Sequence, residues 1–533
     1  MPLLAGCDTW ESRLPTAPLS RSTLRETSPL ELAPTTLPTT QLTTTRPVAT
    51  TAPAQIRIGL DEARAKALRY NLDLAAALIS PSIARESVFA EQAKFDAVFT
   101  TRADYSTTDQ PTSSRLEGSS TKGLSVSPGV EVPLITGGTF AVSAPISRFE
   151  SDNEFSELNP AFTSDLAASI RQPLLRGFGT DVSERSIYIA FYEQQQAELS
   201  TKLQAIRVIA DVDRAFWRLQ AARRELDVRL FGLDLANAQL ERARRQVKAS
   251  QAPEVEIMRA ESGAADALEL VINAENDLKQ RQREFKRLIN DPELPIERDT
   301  IVVPDSVPTT LSFDIDAADM IRDAMAQRTE LLDAELTAIE RTIDVKAAAN
   351  DLLPIVTLDY TYNINGLGPS LDDSISLARE SRFIDHRVGL QVEIPIGNRA
   401  ARARYRSALL QRMRTLADRQ TLELQVKQEV LNAIDIIRTN YQRVAAARQR
   451  VTLNRRLADA EVRQFNNGQR TSTEVLDAQT KLADAESSLV NAEAEYQIAQ
   501  VDLAFATGTT LGQAKVEFTP VSSPPVDPQN QAR

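Results

Sequence analysis

The sequence is poor in the residues that build most catalytic and metal sites. Among 533 residues there is one cysteine, Cys7, and one histidine, His386. These counts exclude a zinc site made of cysteines and histidines, a cysteine–histidine nucleophile pair and a disulfide framework. A serine triad could use only His386, and the sequence offers no other catalytic arrangement. We therefore expect no enzyme activity, no catalytic residue, no metal site and no cofactor.

Long apolar runs, glycine and positive charge are also scarce. No run of about 18 apolar residues is present, so no segment is a candidate for a membrane-spanning helix. The chain carries 61 basic and 73 acidic residues, a net charge of −12, which argues against a nucleic-acid partner. Glycine occurs only 18 times, and the stretches rich in alanine, glutamate, arginine, leucine and glutamine favour long helices.

The N-terminal region contains a short motif followed by a segment of biased composition. Residues 4–7 read Leu-Ala-Gly-Cys, the pattern of a bacterial lipobox, in which diacylglycerol is attached to the cysteine. A chance tetrapeptide is the alternative. Nine threonines and four prolines follow between positions 34 and 54, and such a composition cannot bury a core. The sequence predicts a truncated lipoprotein signal with its lipobox in residues 1–7, lipidation of Cys7, and a linker over residues 8–55.

The chain contains a faint two-fold internal repeat. Residues 255–260 align with 473–478, and residues 71–74 align with 328–331. Both halves read as a helix, strands, a long helix, a turn and a second long helix. This order predicts a first repeat over 56–290, an inter-repeat linker over 291–314, a second repeat over 315–511 and a flexible C-terminal tail over 512–533.

Each half ends in segments with the sequence of long helices. Residues 399–466 contain neither proline nor glycine, and residues 181–251 contain only Gly232. At about 1.5 Å per residue, each segment would be roughly 100 Å long. Second helices are predicted over 254–290 and 472–507. Since their apolar positions are often alanine, which lets helices approach closely, we predict two antiparallel coiled-coil hairpins.

The segments between the helices alternate apolar and polar residues. Six such segments are predicted as strands: 95–105, 124–134, 139–149, 165–174, 356–364 and 388–396. Alternation over about ten residues is typical of membrane β-barrel strands, with one face toward lipid and the other toward a wet lumen. Half-buried strands of a soluble sheet alternate in the same way. Alternation by itself does not distinguish a membrane β-barrel from a soluble sheet.

Residues 465–479 have the most specific sequence, an aromatic residue, a glycine three positions later, and a helix that opens on Glu-Val-Leu-Asp-Ala. This segment, together with the junctions at 172–177 and 394–399, resembles the TolC-type outer-membrane efflux channels over about 56–515. The resemblance implies a mainly α, α+β membrane protein. In it, the strands of three chains form one transmembrane β-barrel on a long helical tunnel through the periplasm.

The strand count departs from this family. Family members usually contribute four strands each, twelve in the trimer, whereas six candidates are present here. The first half carries 35 more residues among its strands than the second, at about 130–165. These extra residues could form another hairpin in the barrel wall or a folded external loop.

The resemblance also implies a gate. In the family, carboxylates at the start of the returning helix form rings that narrow the periplasmic mouth, and the matching positions are Glu474 and Asp477. A basic residue nearby, here Arg470, pairs with a first-hairpin residue that corresponds to Glu256. Glu474 also fits a capping box with Thr471, which requires no gate. The tip turns at 249–253 and 466–471 are expected to dock the adaptor protein through Ser250, Pro253, Gly468 and Thr471.

The function that the resemblance implies is a passive exit duct of a tripartite efflux or type I secretion system. The expected location is the bacterial outer membrane, with the helices in the periplasm and a lipid anchor at Cys7. The expected partners are two further copies of the chain, a periplasmic adaptor, an inner-membrane pump and outer-membrane lipid. The alternative is a periplasmic coiled-coil adaptor or structural protein whose alternating segments form a soluble sheet. Adaptors carry one helical hairpin, whereas two are predicted here.

Overall fold

The computed structural model describes residues 55–516, except 112–117, 154, 251, 313 and 468. The predictions for Cys7 and Gly468 lie outside the described residues, as do those for nearly all of the N-terminal linker and most of the tail. The helices are α1 Leu60–Tyr70, α2 Leu72–Gln92, α3 Thr180–Ser183, α4 Arg185–Lys248, α5 Val255–Ile289, α6 Ala317–Gln327, α7 Thr329–Asn350, α8 Leu371–Arg379, α9 Arg399–Asn466, α10 Ser472–Thr507 and α11 Thr510–Gln513. The strands are β1 Gln55–Ile58, β2 Val98–Asp109, β3 Ser120–Pro133, β4 Thr139–Ser143, β5 Ile146–Ser151, β6 Ala161–Ser164, β7 Leu166–Pro173, β8 Ile301–Pro304, β9 Ile355–Ile364, β10 Leu367–Gly368 and β11 Ile384–Glu393.

The two predicted helical hairpins are present. Helix α4 has 64 residues and returns as α5 with 35, and α9 has 68 residues and returns as α10 with 36. Small side chains line the contacts within each hairpin: Ala243 meets Ala260 in the first, and Ala458 meets Ala478 in the second. The alanine-rich sequence therefore produces the close antiparallel packing that it predicted. No helix of the described residues is both long and apolar enough to cross a membrane.

The main core surrounds the middle of α4. Phe216 is fully buried, packs edge-to-face on Trp217 and contacts Phe285 of α5. On the same helix, Asp213 accepts two hydrogen bonds of 2.8 Å from the guanidinium of Arg64 in α1. Burial raises the pKa of Asp213, and the bonds from Arg64 oppose that shift. Apolar packing and a buried ion pair thus fix α1 and α5 against α4.

Most strands form one antiparallel sheet, in which six rows of chain lie side by side. The order is β2, β3, the run β4–β5, the run β6–β7, β9 and β11, and the short strand β10 continues β9 beside β6. The strands overlap all six predicted segments, with two corrections. The last strand ends at Glu393 and does not reach position 396, because Pro395 has no N–H to donate. The predicted strand 139–149 is broken at Ala144–Pro145, because proline has no N–H to donate to the ladder. The extra first-half residues pair within the sheet.

The two faces of this sheet differ in polarity. Paired positions run across all six rows, and one such line consists of Phe99, Val130, Val142, Ala168, Tyr362 and His386. The neighbouring line, on the opposite face, consists of Val98, Glu131, Ala141, Ser169, Thr361 and Arg387. On this second face Arg171 pairs with Asp359, with 2.7 Å between Nε and Oδ1. One face is therefore mainly apolar and the other mainly polar or small.

A second, smaller sheet joins the start of the first half to the segment between the halves. Strands β1 and β8 pair in parallel, with Ile56 opposite Val302. Ile58 and Val302 are fully buried in the main core. Strand β8 lies in the predicted inter-repeat linker, and β1 lies at the boundary between the N-terminal linker and the first repeat. Neither was predicted, because each strand is only four residues long.

Candidate functional site

The candidate site lies at the tips of the two hairpins. The first tip joins Lys248 of α4 to Val255 of α5. There Ser250 adopts a left-handed conformation with φ of 56°, and the carbonyl of Pro253 accepts a 3.0 Å hydrogen bond from the N–H of Glu256. Proline suits this first turn because its missing N–H would have no partner there. Ser250 and Pro253 therefore shape the turn that the sequence proposed for docking.

The second tip begins helix α10 with the predicted capping box. The N–H of Thr471 donates to Oε2 of Glu474 at 2.8 Å, and the structure shows both bonds of the box. The hydrogen bond from the Thr471 N–H lowers the pKa of the Glu474 carboxyl. Glu474 thus has a structural role in a single chain, whatever it does in an assembly.

Arg470 has its partners within its own hairpin. Its Nη1 lies 2.7 Å from Oε1 of Glu474 and its Nε lies 3.2 Å from Oε2 of Glu461. Glu256, in the first hairpin, instead pairs with Arg259 at 2.6 Å. In one chain the two residues of the expected pair are thus each engaged elsewhere. The Arg470–Glu256 pair stays a prediction for the assembled protein.

Asp477 lies one turn after Glu474 on α10. Its carboxylate pairs with Lys481 at 2.7 Å, and both side chains are more than half exposed. An exposed pair of this kind contributes about 0–1 kcal/mol, so it leaves Asp477 free to exchange partners. The structure places the two predicted ring acids close together in sequence and in space at the start of one helix.

A contact that was not predicted from the sequence joins the two hairpins near their tips. The amide Nε2 of Gln239 in α4 donates a 2.9 Å hydrogen bond to Oγ of Ser472 in α10. Both residues are fully buried. A buried polar residue in an alanine-rich helix face was the only signal in the sequence, and it does not reveal the partner.

Three ion pairs continue this junction along α4 and α10. Their lengths are 2.7 to 3.0 Å, and they are Arg214–Asp502, Arg224–Glu493 and Arg229–Asp484. Their numbers rise along α4 as they fall along α10, so the two helices run antiparallel. Each pair is partly exposed and weak by itself. Together with Gln239 and Ser472 they fix the register between the hairpins.

A groove of about 410 Å³ opens beside this junction, between α4, α5 and α10. Gly263 forms part of its floor, where a Cβ would lie 3.1 Å from a methyl group of Leu476. Arg229, Arg259 and Asp477 line its sides. The groove is therefore polar at the edges and is bounded by small residues where the helices approach.

Residues 320–509 match the family model of outer membrane efflux proteins. The second half of the chain is therefore similar to outer membrane efflux proteins. The resemblance to TolC-type channels is thereby confirmed. No curated protein sequence matches the chain significantly.

Solved structures of outer-membrane channels share the fold over most of the chain. The outer-membrane channel OprN is 17% identical, with a TM-score of 0.63 over 84% of this chain and 90% of that one. CusC is 14% identical, with a TM-score of 0.64 over 90% and 99%. The open state of the Neisseria gonorrhoeae channel MtrE is 17% identical, with a TM-score of 0.60 over 85% and 89%. The predicted fold is confirmed, and the segment that matches the family model lies within it.

Proposed function

We propose that the protein is a homotrimeric exit duct of the bacterial outer membrane, which conducts substrates of a tripartite efflux system passively. The observation that carries this proposal is one chain with two hairpins, each containing a helix of about 100 Å, and a sheet that is mainly apolar on one face only. Three sheets form the wall in the membrane, and six hairpins form a tunnel in the periplasm. The chain performs no chemistry, so a pump in the inner membrane supplies the energy through an adaptor.

The orientation of the sheet follows from its two faces. The face of Tyr360 and Tyr362 meets lipid, and the face of Asp359 and Thr361 meets the lumen, since neighbours in a strand point to opposite sides. Lipid requires apolar surface over the hydrocarbon thickness. Lipidation of Cys7 adds an anchor that the sheet does not need for insertion.

Membrane fractionation tests the proposal directly. The natural protein is expected in the outer-membrane fraction as a trimer in detergent. Replacement of Cys7 by serine should abolish lipid labelling and leave the trimer in the membrane. Recovery of the protein as a soluble periplasmic monomer would overturn the proposal and favour a coiled-coil adaptor.

The gate belongs to the same proposal. In a trimer, three copies of Glu474 and Asp477 surround one axis and concentrate negative potential at a narrow mouth. This potential favours cations over anions. Arg470 holds the mouth closed by bridging to Glu256, in exchange for the partners that it has in a single chain. The tip turns of Ser250, Pro253, Gly468 and Thr471 dock the adaptor.

Single-channel recording tests the gate. Arg470→Ala should raise conductance in planar bilayers, and Arg470→Glu should raise it further because it adds repulsion at the mouth. Arg455→Ala is the matched control, since Arg455 also pairs with a glutamate of its hairpin, Glu486, and should leave conductance unchanged. Glu474→Gln with Asp477→Asn should weaken cation selectivity. Unchanged conductance in inserted trimers of both Arg470 variants would contradict the gate.

A further inference from the structure

The two edges of the large sheet have no pairing strand among the residues that the structure describes. At one edge is β2, with 12 residues, and at the other is β11, with 10. Every β2 residue and nearly every β11 residue is exposed. Neither strand contains proline or lysine, which soluble proteins use to protect open edges. These edges are therefore suited to pair with another strand.

The direction of the edges favours a second copy of the chain as the partner. The sheet has six rows, and each row is antiparallel to its neighbour. Because six is an even number, β2 and β11 run in opposite directions. When β11 of one copy meets β2 of the next, the antiparallel pattern continues without a break. The apolar face also continues, since both strands alternate with the same period.

The stagger between the rows is that of a closed sheet. Strands β2 and β11 both adjoin helices at one end of the sheet, the helix end. Directly opposite residues can be followed across the sheet from the first residue of β2 to a residue of β11 that lies six positions from the helix end of that strand. In order across the six rows, the paired residues lie zero, two, two, four, six and six positions from the helix end of their own row: Val98, Glu131, Ala141, Ser169, Thr361 and Arg387.

This stagger converts to a tilt. Six residues span about 20 Å along a strand, and five strand spacings span about 24 Å. The ratio corresponds to strands tilted by about 40° from the axis of a closed sheet. Strands of closed transmembrane sheets tilt by about 35–45°. A single copy is thus already inclined as a segment of such a wall.

We propose that β11 of each copy pairs with β2 of the next, and that three copies close a sheet of eighteen strands. This inference rests on the proposed function and adds the strand number, which the resemblance to twelve-stranded channels does not give. The extra residues 130–165 then belong to the wall. Because the diameter of a closed sheet grows roughly linearly with strand number, the wall is about 1.5 times as wide as one of twelve strands.

Charge selects the register at the junction. With the helix ends level, Glu393 lies opposite Val98 and Arg387 lies opposite Asp104, which places opposite charges together on the polar face. A slip of two residues, with Gln391 opposite Val98, instead places Arg387 opposite Arg102 and Asp385 opposite Asp104. Like charges directly opposite each other destabilise a strand pair. The opposite slip, with Glu393 opposite Thr100, places Arg387 opposite Ser106 and loses its pairing with Asp104. We therefore assign the level register.

Cysteine pairs test this junction in a Cys7→Ser background, in outer membranes. Thr100→Cys with Gln391→Cys places the two residues directly opposite in the assigned register, within the 4.4–6.8 Å that a disulfide requires. Thr100→Cys with Gly389→Cys is the control, since a diagonal pair is about 7–8 Å apart. We expect covalent trimers from the first pair only. Preferential cross-linking of the control pair, or no cross-link in correctly located trimers, would overturn the inference. Neither result would contradict the proposed function of an exit duct.

Labelling tests whether the extra hairpin lies in the wall. In the same background, a water-soluble maleimide should label Ala141→Cys on the polar face and spare Val142→Cys on the apolar face. Equal labelling of both positions would show that the hairpin lies outside the wall, and twelve strands would remain. Loss of the trimer from the membrane fraction of the Cys7→Ser parent would instead count against the proposed function.

Discussion

Helices α4 and α9 occupy matching places in the two halves and have almost the same length, yet they are buried differently. Helix α4 has 22 buried residues, and α9 has 11. Helix α4 packs against α1, α2, α5, α7 and α10, whereas α9 packs mainly against α6, α7 and α10. Helix α4 is therefore surrounded by other helices of its own chain, whereas α9 is covered on fewer sides.

Helix α9 has apolar residues that its own chain does not cover. Exposed large apolar side chains of α9 are Leu410, Met413, Leu424, Leu431, Ile436, Tyr441, Leu453 and Leu457. Extended exposed apolar surface marks an interaction site. Within one chain α4 is thus the better covered of the two helices, and α9 leaves more apolar surface for contact between copies. This difference agrees with the proposed homotrimer.

The largest expected effect is in the core of α4. Phe216→Ala should lower the free energy of unfolding by about 3–5 kcal/mol, since it removes a fully buried ring. Phe231→Ala on the same helix is the control, because Phe231 is 54% exposed and should change stability by less than about 0.5 kcal/mol. Thermal unfolding in detergent measures both. Similar losses for the two variants would contradict the central role of α4.

The next effect concerns the junction between the halves. Ser472→Ala leaves the buried amide of Gln239 without its partner, which should cost about 1–3 kcal/mol. The neighbouring Thr473 is exposed, so Thr473→Ala should cost almost nothing. Proteolysis at the tips requires local unfolding of the hairpin ends. Its rate should increase for Ser472→Ala and not for Thr473→Ala. Equal proteolysis rates for both would show that the Gln239–Ser472 bond does not join the hairpins.

A smaller effect is expected at the surface of α9. Leu424→Glu should weaken trimer formation about tenfold, or about 1.4 kcal/mol, because it places a charge in the expected contact between copies. Gln425→Glu makes the same change at the next exposed position and should not weaken it. Analytical ultracentrifugation in detergent measures the oligomer. A stable trimer of the Leu424 variant would assign the contact to another surface.

The smallest effect is on pH dependence at the second tip. The folded chain lowers the pKa of Glu474, so the ionised carboxylate stabilises the start of α10. This stabilisation is complete above the ordinary glutamate pKa of 4.5 and is lost as the pH falls below it. Hydrogen exchange of the Thr471 amide should accelerate relative to a free amide on acidification. Glu474→Gln should remove the pH dependence of this exchange rate. If the variant and the parent show the same pH dependence, the capping box is not its cause.

The features of the fold that depend on residues close together in the chain could be predicted from the sequence. The hairpins follow from long segments without proline or glycine, and the strands follow from alternation. The stagger of the rows, the pairing of β1 with β8 and the bond between Gln239 and Ser472 join residues far apart in the chain. Their partners could not be read from local pattern. Arg470 is intermediate: its position in the turn was predicted, and its partners depend on side-chain geometry that the sequence does not contain.

The length of α4 has a mechanical consequence. At about 1.5 Å per residue, its 64 residues form a rod of about 96 Å. Rotation of such a rod by 5° about the end next to the sheet displaces the far end by about 8 Å. A small change of angle beside the sheet would therefore produce a large displacement at the tip. In the proposed gate, such a rotation would widen the mouth while every strand keeps its register.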